Sequence, residues 1–214
     1  MQTAPRPLRH KLGLGLALGL VLTGCAGLGA PPPPRQHYAL TAEHPPAQAA
    51  LAGAPVIAVQ TLQAAPRAGG EGFLYRRTEE EYVSDYYHVW VSPPAPILSQ
   101  NLREWLAASG LFAYVTPGVG YAQPGYVLEG SLLSLYGDYR NPQAPQAVLA
   151  VEFALLQDQP AGMNLRLRRH YQETEPLPQA NPTALAAAWR VAWIRLLQRL
   201  EQDIARCLHQ QACS

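Results

Sequence analysis

Residues 147–157 carry apolar side chains on both faces of an alternating strand. Ala147, Leu149, Val151, Phe153 and Leu155 fall on one side; Val148, Ala150, Ala154 and Leu156 fall on the other, around a lone Glu152. A strand that is apolar on both faces needs cover on both, which places it in the middle of a sheet. Residues 126–135 and 165–171 read as its neighbours, with turn-like stretches at 137–145 and 158–162. Connections that short join antiparallel strands, so the three should form a meander. In the last of them, Leu165, Leu167, Arg169 and Tyr171 alternate with Asn164, Arg166, Arg168 and His170. One of its faces is therefore polar.

Upstream, residues 37–40, 56–60, 73–77, 81–91 and 111–116 have the β-branched and aromatic character of shorter strands. Two helices punctuate them. The first follows the Pro-rich stretch 92–96 and runs to about Ser109, with Leu98, Leu102, Trp105 and Leu106 on one stripe and Gly110 placed to end it. The second starts at Asn181-Pro182, an N-cap residue followed by proline at the first helical position. It runs to about Arg206, with Leu185, Trp189, Ala192, Trp193, Leu196, Leu200 and Ile204 on one side. Both tryptophans read as core. The expected fold is α/β in the broad sense (α+β): a single domain with a mixed, largely antiparallel sheet covered by two long helices.

The N-terminus constrains where such a domain works. Arg6, Arg9 and Lys11 precede an apolar run at 12–22, which is followed by Leu22-Thr23-Gly24-Cys25. As a helix the run would cover about 16 Å, roughly half of a ~30 Å hydrocarbon core. It reads as a cleaved signal rather than a membrane span. Cys25 directly after small residues is the lipoprotein form of that signal, with diacylglycerol on the Cys25 thiol and cleavage before it. The only covalent group expected is this diacylglycerol with its acyl chains; no cofactor is called for. Two or three acyl chains hold a protein firmly to a bilayer, and Ala26, rather than Asp, after Cys25 favours the outer membrane. Residues 1–24 are then the signal peptide, 25–36 a Pro-rich tether, 37–206 the domain and 207–214 a tail. The tether includes four consecutive prolines at 31–34, a semi-rigid polyproline II spacer. With Cys25 lipidated, Cys207 and Cys213 remain. An oxidising periplasm favours a disulfide between them, two free thiols being the alternative.

Removing residues 1–24 takes Arg6, Arg9 and Lys11 and no acidic residue, which moves the net charge from +1 to about −2. No basic field is left to attract nucleic acid. The sequence has no Gly-x-Ser-x-Gly, no His-Glu-x-x-His and no phosphate-binding loop, and the histidines outside the signal (37, 44, 88, 170 and 209) have no ligand spacing. No catalytic residue and no metal ligand is assigned, and the chain reads as a non-enzyme. Glu79-Glu80-Glu81 reads as a solvated turn. Two groups suit a partner interface. Tyr82, Tyr86, Tyr87 and Trp90 have side chains that favour surfaces apolar at one end and wet at the other, with ordinary sheet packing as the alternative. Arg166 and Arg168, with Arg169, can meet an acidic partner or a headgroup, or be balanced by Glu173 and Glu175.

Several short patterns occur together in order: His37-Tyr38-Ala39-Leu40, Phe73-Leu74-Tyr75-Arg76-Arg77, Tyr86-Tyr87-His88-Val89-Trp90, Pro93-Pro94, Ala107-Ala108-Ser109-Gly110-Leu111-Phe112 and Tyr126-Val127-Leu128-Glu129-Gly130. Followed by a strand pair and an amphipathic helix, they resemble the ABC-type transport auxiliary lipoprotein family across about residues 37–206. The resemblance implies a compact α/β domain with a mixed sheet on a periplasm-facing lipoprotein anchored in the outer membrane. It implies partnership with an MCE-domain protein and the permease and ATPase of an ABC-type lipid transport system, with a ring of identical copies as one docking form. It carries no catalytic residues over. Two competing expectations are a periplasmic lipid-binding carrier, which needs an apolar cavity of several hundred Å³, and a tethered activator of an envelope enzyme.

Overall fold

The computed structural model describes residue 2 and residues 32–118, 120 and 123–209. Apart from Gln2, the lipoprotein signal lies outside the described residues, as do Cys25 and Cys213. Contacts divide the chain into a unit of Met1–Pro34 and a unit of Arg35–Ser214. In the first, Gln2 and residues 32–34 are exposed.

The second unit is built around three long strands, β7 (Tyr126–Asp138), β8 (Gln146–Gln159) and β9 (Gly162–Pro176). They pair antiparallel in the order β7-β8-β9, so the doubly apolar segment is the central strand. Its first face (Ala147, Leu149, Val151, Phe153, Leu155) is fully buried, and Val148 and Ala150 on the second are buried as well. The free edge of β7 is shared lengthwise by three parallel strands. β2 (Val56–Val59) takes its start, β3 (Gln63–Ala64) its middle and β4 (Gly72–Arg76) its end. β6 (Tyr114–Thr116) lies outside β2. β5 (Tyr82–Trp90) lies outside β4, and β1 (Gln36–Tyr38) completes that arm. The mixed sheet is thus antiparallel in its long strands and partly parallel in its short ones.

Helix α1 (Pro94–Ala108) packs on β2 and β6, and α2 (Pro182–His209) packs on β8 and β9. Both add to one core on the same side of the sheet. Helix α1 ends as its sequence predicts: Ser109 is the C-cap and Gly110 follows at φ +74°, a left-handed position that glycine occupies without a Cβ penalty. At the start of α2, Asn181 Oδ1 accepts a 2.8 Å hydrogen bond from Ala184 N–H, satisfying one of the helix's free donors. Aromatic rings fill the space between layers. Phe73 lies 4.8 Å from Tyr38, 4.7 Å from Trp90 and 4.9 Å from Trp189 between centroids. Trp105, Trp189 and Trp193 are buried. No helix among the described residues is long and apolar enough to cross a membrane.

Three features differ from the sequence reading. The meander strands run on through 136–138 and 172–176, because backbone pairing with β8 continues there although the side chains are polar. A bulge at Arg166, between Leu165 and Leu167, resets the alternation of β9. Leu167, Arg169 and Tyr171 still face the helices, but Leu165 turns to the other face and is 52% exposed. Finally, α2 extends through His209, so Cys207 belongs to its last turn rather than to a tail.

Candidate functional site

Both helices lie on one face of the sheet, and among the described residues no helix covers the opposite face. Along it Leu74, Tyr82, Leu133 and Tyr136 line an open cleft of about 410 Å³, with Pro66 and Arg67 at its rim. The Tyr82 and Tyr136 rings meet edge-on at 5.6 Å, and the guanidinium of Arg67 stands 5.3 Å from the centre of the Tyr82 ring. A second bulge puts Leu133 here, since the register slips between Leu132 and Ser134. Further along, Ala154, Leu165, Glu152 and Arg168 border a smaller cleft of about 280 Å³. Met163 and Leu165, both near half-exposed, end this face at the β8–β9 turn. The face therefore combines apolar and aromatic side chains with charged ones of both signs, Arg67, Arg168, Glu129 and Glu152, a composition that suits the core and rim of a protein interface.

The third irregularity lies in β5. Ser84 pairs with Leu74, whereas Val89 already pairs with Gly72, so extra residues are looped out between them. Asp85 organises this loop. Its Oδ1 accepts the N–H groups of Tyr87 (2.8 Å) and His88 (3.1 Å), and its Oδ2 accepts the Tyr75 hydroxyl (2.9 Å) and contacts His88 Nδ1 (2.7 Å). Burial disfavours the Asp85 carboxylate, but these hydrogen bonds outweigh it and hold its pKa below the ordinary value. The Tyr75 hydroxyl is pushed up, first by burial and then by donating to Asp85. Tyr75, Asp85 and Arg77, with Tyr139 and Pro182, line another open cleft of about 460 Å³. The bulge also turns Tyr86 outward, where it is 64% exposed and stands 5.2 Å from the Tyr87 ring. The Arg35 guanidinium covers Tyr86 at 4.1 Å, close enough for a cation–π contact.

The four aromatic candidates thus separate. Tyr82 is on the open face, and Tyr86 and Tyr87 are on the bulge. Trp90 is buried among Phe73 and Trp189 and takes the packing alternative. Its side chain alternates inward because the bulge ends before it.

The arginine candidates separate too. Arg168 is on the open face and donates to Glu152 Oε1 at 2.8 Å. Arg166, in its bulge, leans the other way, donating to Gln157 Oε1 and to the Cys207 carbonyl oxygen, the latter at 3.1 Å. A cation at that helix C-terminus meets the free carbonyl end favourably. Glu173 and Glu175 do not balance these arginines. They face α2, where Arg199 sits 2.8 Å from Glu173 and Arg195 sits 2.7 Å from Glu175. In the same seam, buried Asp203 accepts from Tyr171 and from Arg169, each at 2.7 Å, and from Arg206. Desolvation opposes the Asp203 charge, yet those donors lower its pKa below the usual value. Glu79, in the acidic turn, is exposed and pairs with Arg76 and Arg140. Cys207 is disulfide-bonded, while its expected partner Cys213 lies outside the described residues.

The sequence reading missed Arg35, Leu133, Tyr136 and the outward side of Leu165. The adjacent large side chains Leu132-Leu133 and Leu135-Tyr136, out of phase with strict alternation, are the signal in the sequence for the bulge.

Comparison with known proteins follows this geometry. A Xanthomonas campestris protein of the DUF330 family has a TM-score of 0.72 and 20% identity, covering 82% of this chain and 97% of that one. An uncharacterized protein of known structure has a TM-score of 0.65 and 15% identity, covering 80% of this chain and 99% of that one. At these identities the likeness concerns the fold. No curated protein matches the chain. A family model described as ABC-type transport auxiliary lipoprotein component matches residues 38–205. That match takes in nearly all of the sheet and both helices, and the chain belongs to the ABC-type transport auxiliary lipoprotein family.

Proposed function

We propose that this protein is a non-catalytic adaptor of an ABC/MCE-type system that moves lipid between membranes. In this reading Cys25 carries the acyl chains, the domain faces the periplasm from the outer membrane, and an MCE-domain protein docks on it. The family match over residues 38–205 carries the proposal, because an auxiliary component needs a transporter to serve. The open sheet face supplies a docking surface: Leu74, Tyr82, Leu133 and Tyr136 line one cleft with Arg67, and Leu165 lines another with Arg168 and Glu152.

The lipid-carrier alternative is less well supported. The interior between sheet and helices is occupied by Phe73, Phe153, Trp105, Trp189 and Trp193, where a carrier would hold its cargo.

The test is site-specific photo-crosslinking in the native envelope, with the photoreactive residue at position 82 or 165. Crosslinks to an MCE-domain protein support the adaptor. Repeated recovery of an envelope enzyme instead would favour the activator reading, and recovery of lipid alone the carrier.

A further inference from the structure

Tyr86 is a large aromatic side chain held 64% exposed by a bulge that Asp85 builds with four contacts. The Arg35 guanidinium stands over its ring at 4.1 Å, and the Tyr87 ring meets it edge-on at 5.2 Å. Exposed Val91 lies on the same strand arm, just past Trp90. The Asp85 carboxylate beneath them is engaged by Tyr75, His88 and backbone N–H groups, so it faces inward rather than toward a ligand of the pair. A tyrosine and an arginine presented together, one amphipathic and one cationic, match the headgroup level of a bilayer.

Chain length says which bilayer surface is within reach. Arg35 is ten residues after Cys25, so a fully extended link spans at most about 33–36 Å. A folded unit of this length has a radius of gyration near 16 Å and is about 40 Å across. The tether is therefore shorter than the domain is wide. Arg35, where this arm begins, thus stays within about 36 Å of whatever holds Cys25. Tyr114, by contrast, is also 64% exposed but sits on β6, at the opposite end of the strand path from β1.

We propose that Arg35 and Tyr86 seat the β1–β5 arm on the leaflet that holds Cys25, with the Tyr86 ring at headgroup depth and the Arg35 guanidinium on a lipid phosphate. The inference rests on lipidation of Cys25. It orients the domain: the arm with β1 lies against the membrane and the arm with β6 lies away from it.

The chain suits a direct test, because its four tryptophans, Trp90, Trp105, Trp189 and Trp193, are all buried and shielded from a lipid-borne quencher. The full lipidated protein carrying Tyr86→Trp is reconstituted into phosphatidylcholine vesicles brominated near the headgroup end of the acyl chains. The emission added by Tyr86→Trp should fall about twofold relative to unbrominated vesicles, as for an indole buried ~5–10 Å into the headgroup boundary. Tyr114→Trp should show no such loss, and adding Arg35→Glu to Tyr86→Trp should reduce the quenching. A protein that floats with the vesicles but shows no quenching at position 86, or equal quenching at 86 and 114, overturns this inference and leaves the anchor standing. A protein that does not float at all overturns the anchor and this inference together. Quenching at 86 that is lost only when a transporter protein is added supports the membrane seat of the free protein.

Discussion

Replacing Asp203 with asparagine isolates the charge that joins the edge strand β9 to helix α2. Asp203 is 5% exposed and receives three donors: the buried Tyr171 hydroxyl, Arg169 and Arg206. A hydrogen bond to a buried charge contributes roughly 1.5–3 kcal/mol, against about 1 kcal/mol for a neutral one. Asparagine keeps an acceptor for Tyr171, so about 1 kcal/mol is lost there. The Arg169 and Arg206 side chains are 36% and 64% exposed, and solvent limits such pairs to about 0.2–1 kcal/mol each. Together, Asp203→Asn should cost about 1.5–3 kcal/mol at neutral pH. Asp203→Ala should cost more, since a buried hydroxyl without a partner adds about 1–3 kcal/mol.

The pH dependence carries the sharper test. The folded pKa of Asp203 lies below its unfolded value of about 3.9. Its contribution is therefore complete above that unfolded value and is lost as pH falls through the folded one. Urea unfolding of the full chain in mild detergent, followed by the emission of the buried tryptophans, measures the gap between wild type and Asp203→Asn. The gap should hold its full size from pH 7 to about pH 4 and close below that. Asp85 and Asp138 also have lowered pKa values, but they titrate alike in both proteins and cancel in the difference. A gap that is the same at pH 7 and in strong acid, or one under about 0.5 kcal/mol at pH 7, would show that the charge does no work in the seam.

Three further perturbations probe other links. Gly110→Ala forces a Cβ into the left-handed region at φ +74°, beside the Ala49 carbonyl and Gln48 at 3.0 Å. It should cost about 1–2 kcal/mol in urea unfolding. Gly130→Ala would set a Cβ against Leu62 Cδ2 and 2.8 Å from the Phe153 ring; the leucine can rotate but the packed ring cannot, so a loss of about 1–3 kcal/mol is expected by the same assay. Cys25→Ala should leave the circular dichroism spectrum of the domain unchanged and move the protein from the outer-membrane fraction to the soluble periplasm; continued fractionation with the membrane would refute the anchor.

What the sequence made legible was periodicity and punctuation. The doubly apolar run at 147–157 has no stable place except between two partners, and it lies between β7 and β9. Asn181-Pro182 and Gly110 are local signals, decided within one helical turn, and both act as their chemistry dictates. The interaction surfaces depend on three breaks in register, at Leu133, Arg166 and Asp85–His88, and a bulge is settled by what packs across the sheet rather than by the residues in it. Two of these breaks reassigned candidates. The one at Arg166 moved Leu165 to the open face and sent Arg166 toward α2, and the one after Asp85 parted Tyr86 from Trp90. Glu173 and Glu175 read from the sequence as partners of the nearby arginines 166–169, because nothing local shows that Arg195 and Arg199, about 20 residues later, face them.

Those pairs also bear on why charge is buried in the seam at all. Replacing a buried ion pair by apolar residues is often neutral or stabilising, so such pairs are poor evidence of strength; fixing one arrangement is their better-attested role. Here the strand they fix is β9, which runs for 15 residues and, among the described residues, pairs on one side only, with β8. An edge of that length invites pairing with another chain unless it is interrupted. The bulge at Arg166 breaks its line, and charged Arg168 and half-buried Arg169 and Glu175 stand along it. With Asp203 holding Arg169 and Tyr171, and Arg195 and Arg199 holding Glu173 and Glu175, a slip of one residue would reverse every one of these side chains to the face that lacks their partners. The seam therefore sets the register that keeps Arg168 and Leu165 on the open face, which is the face proposed to meet the transporter.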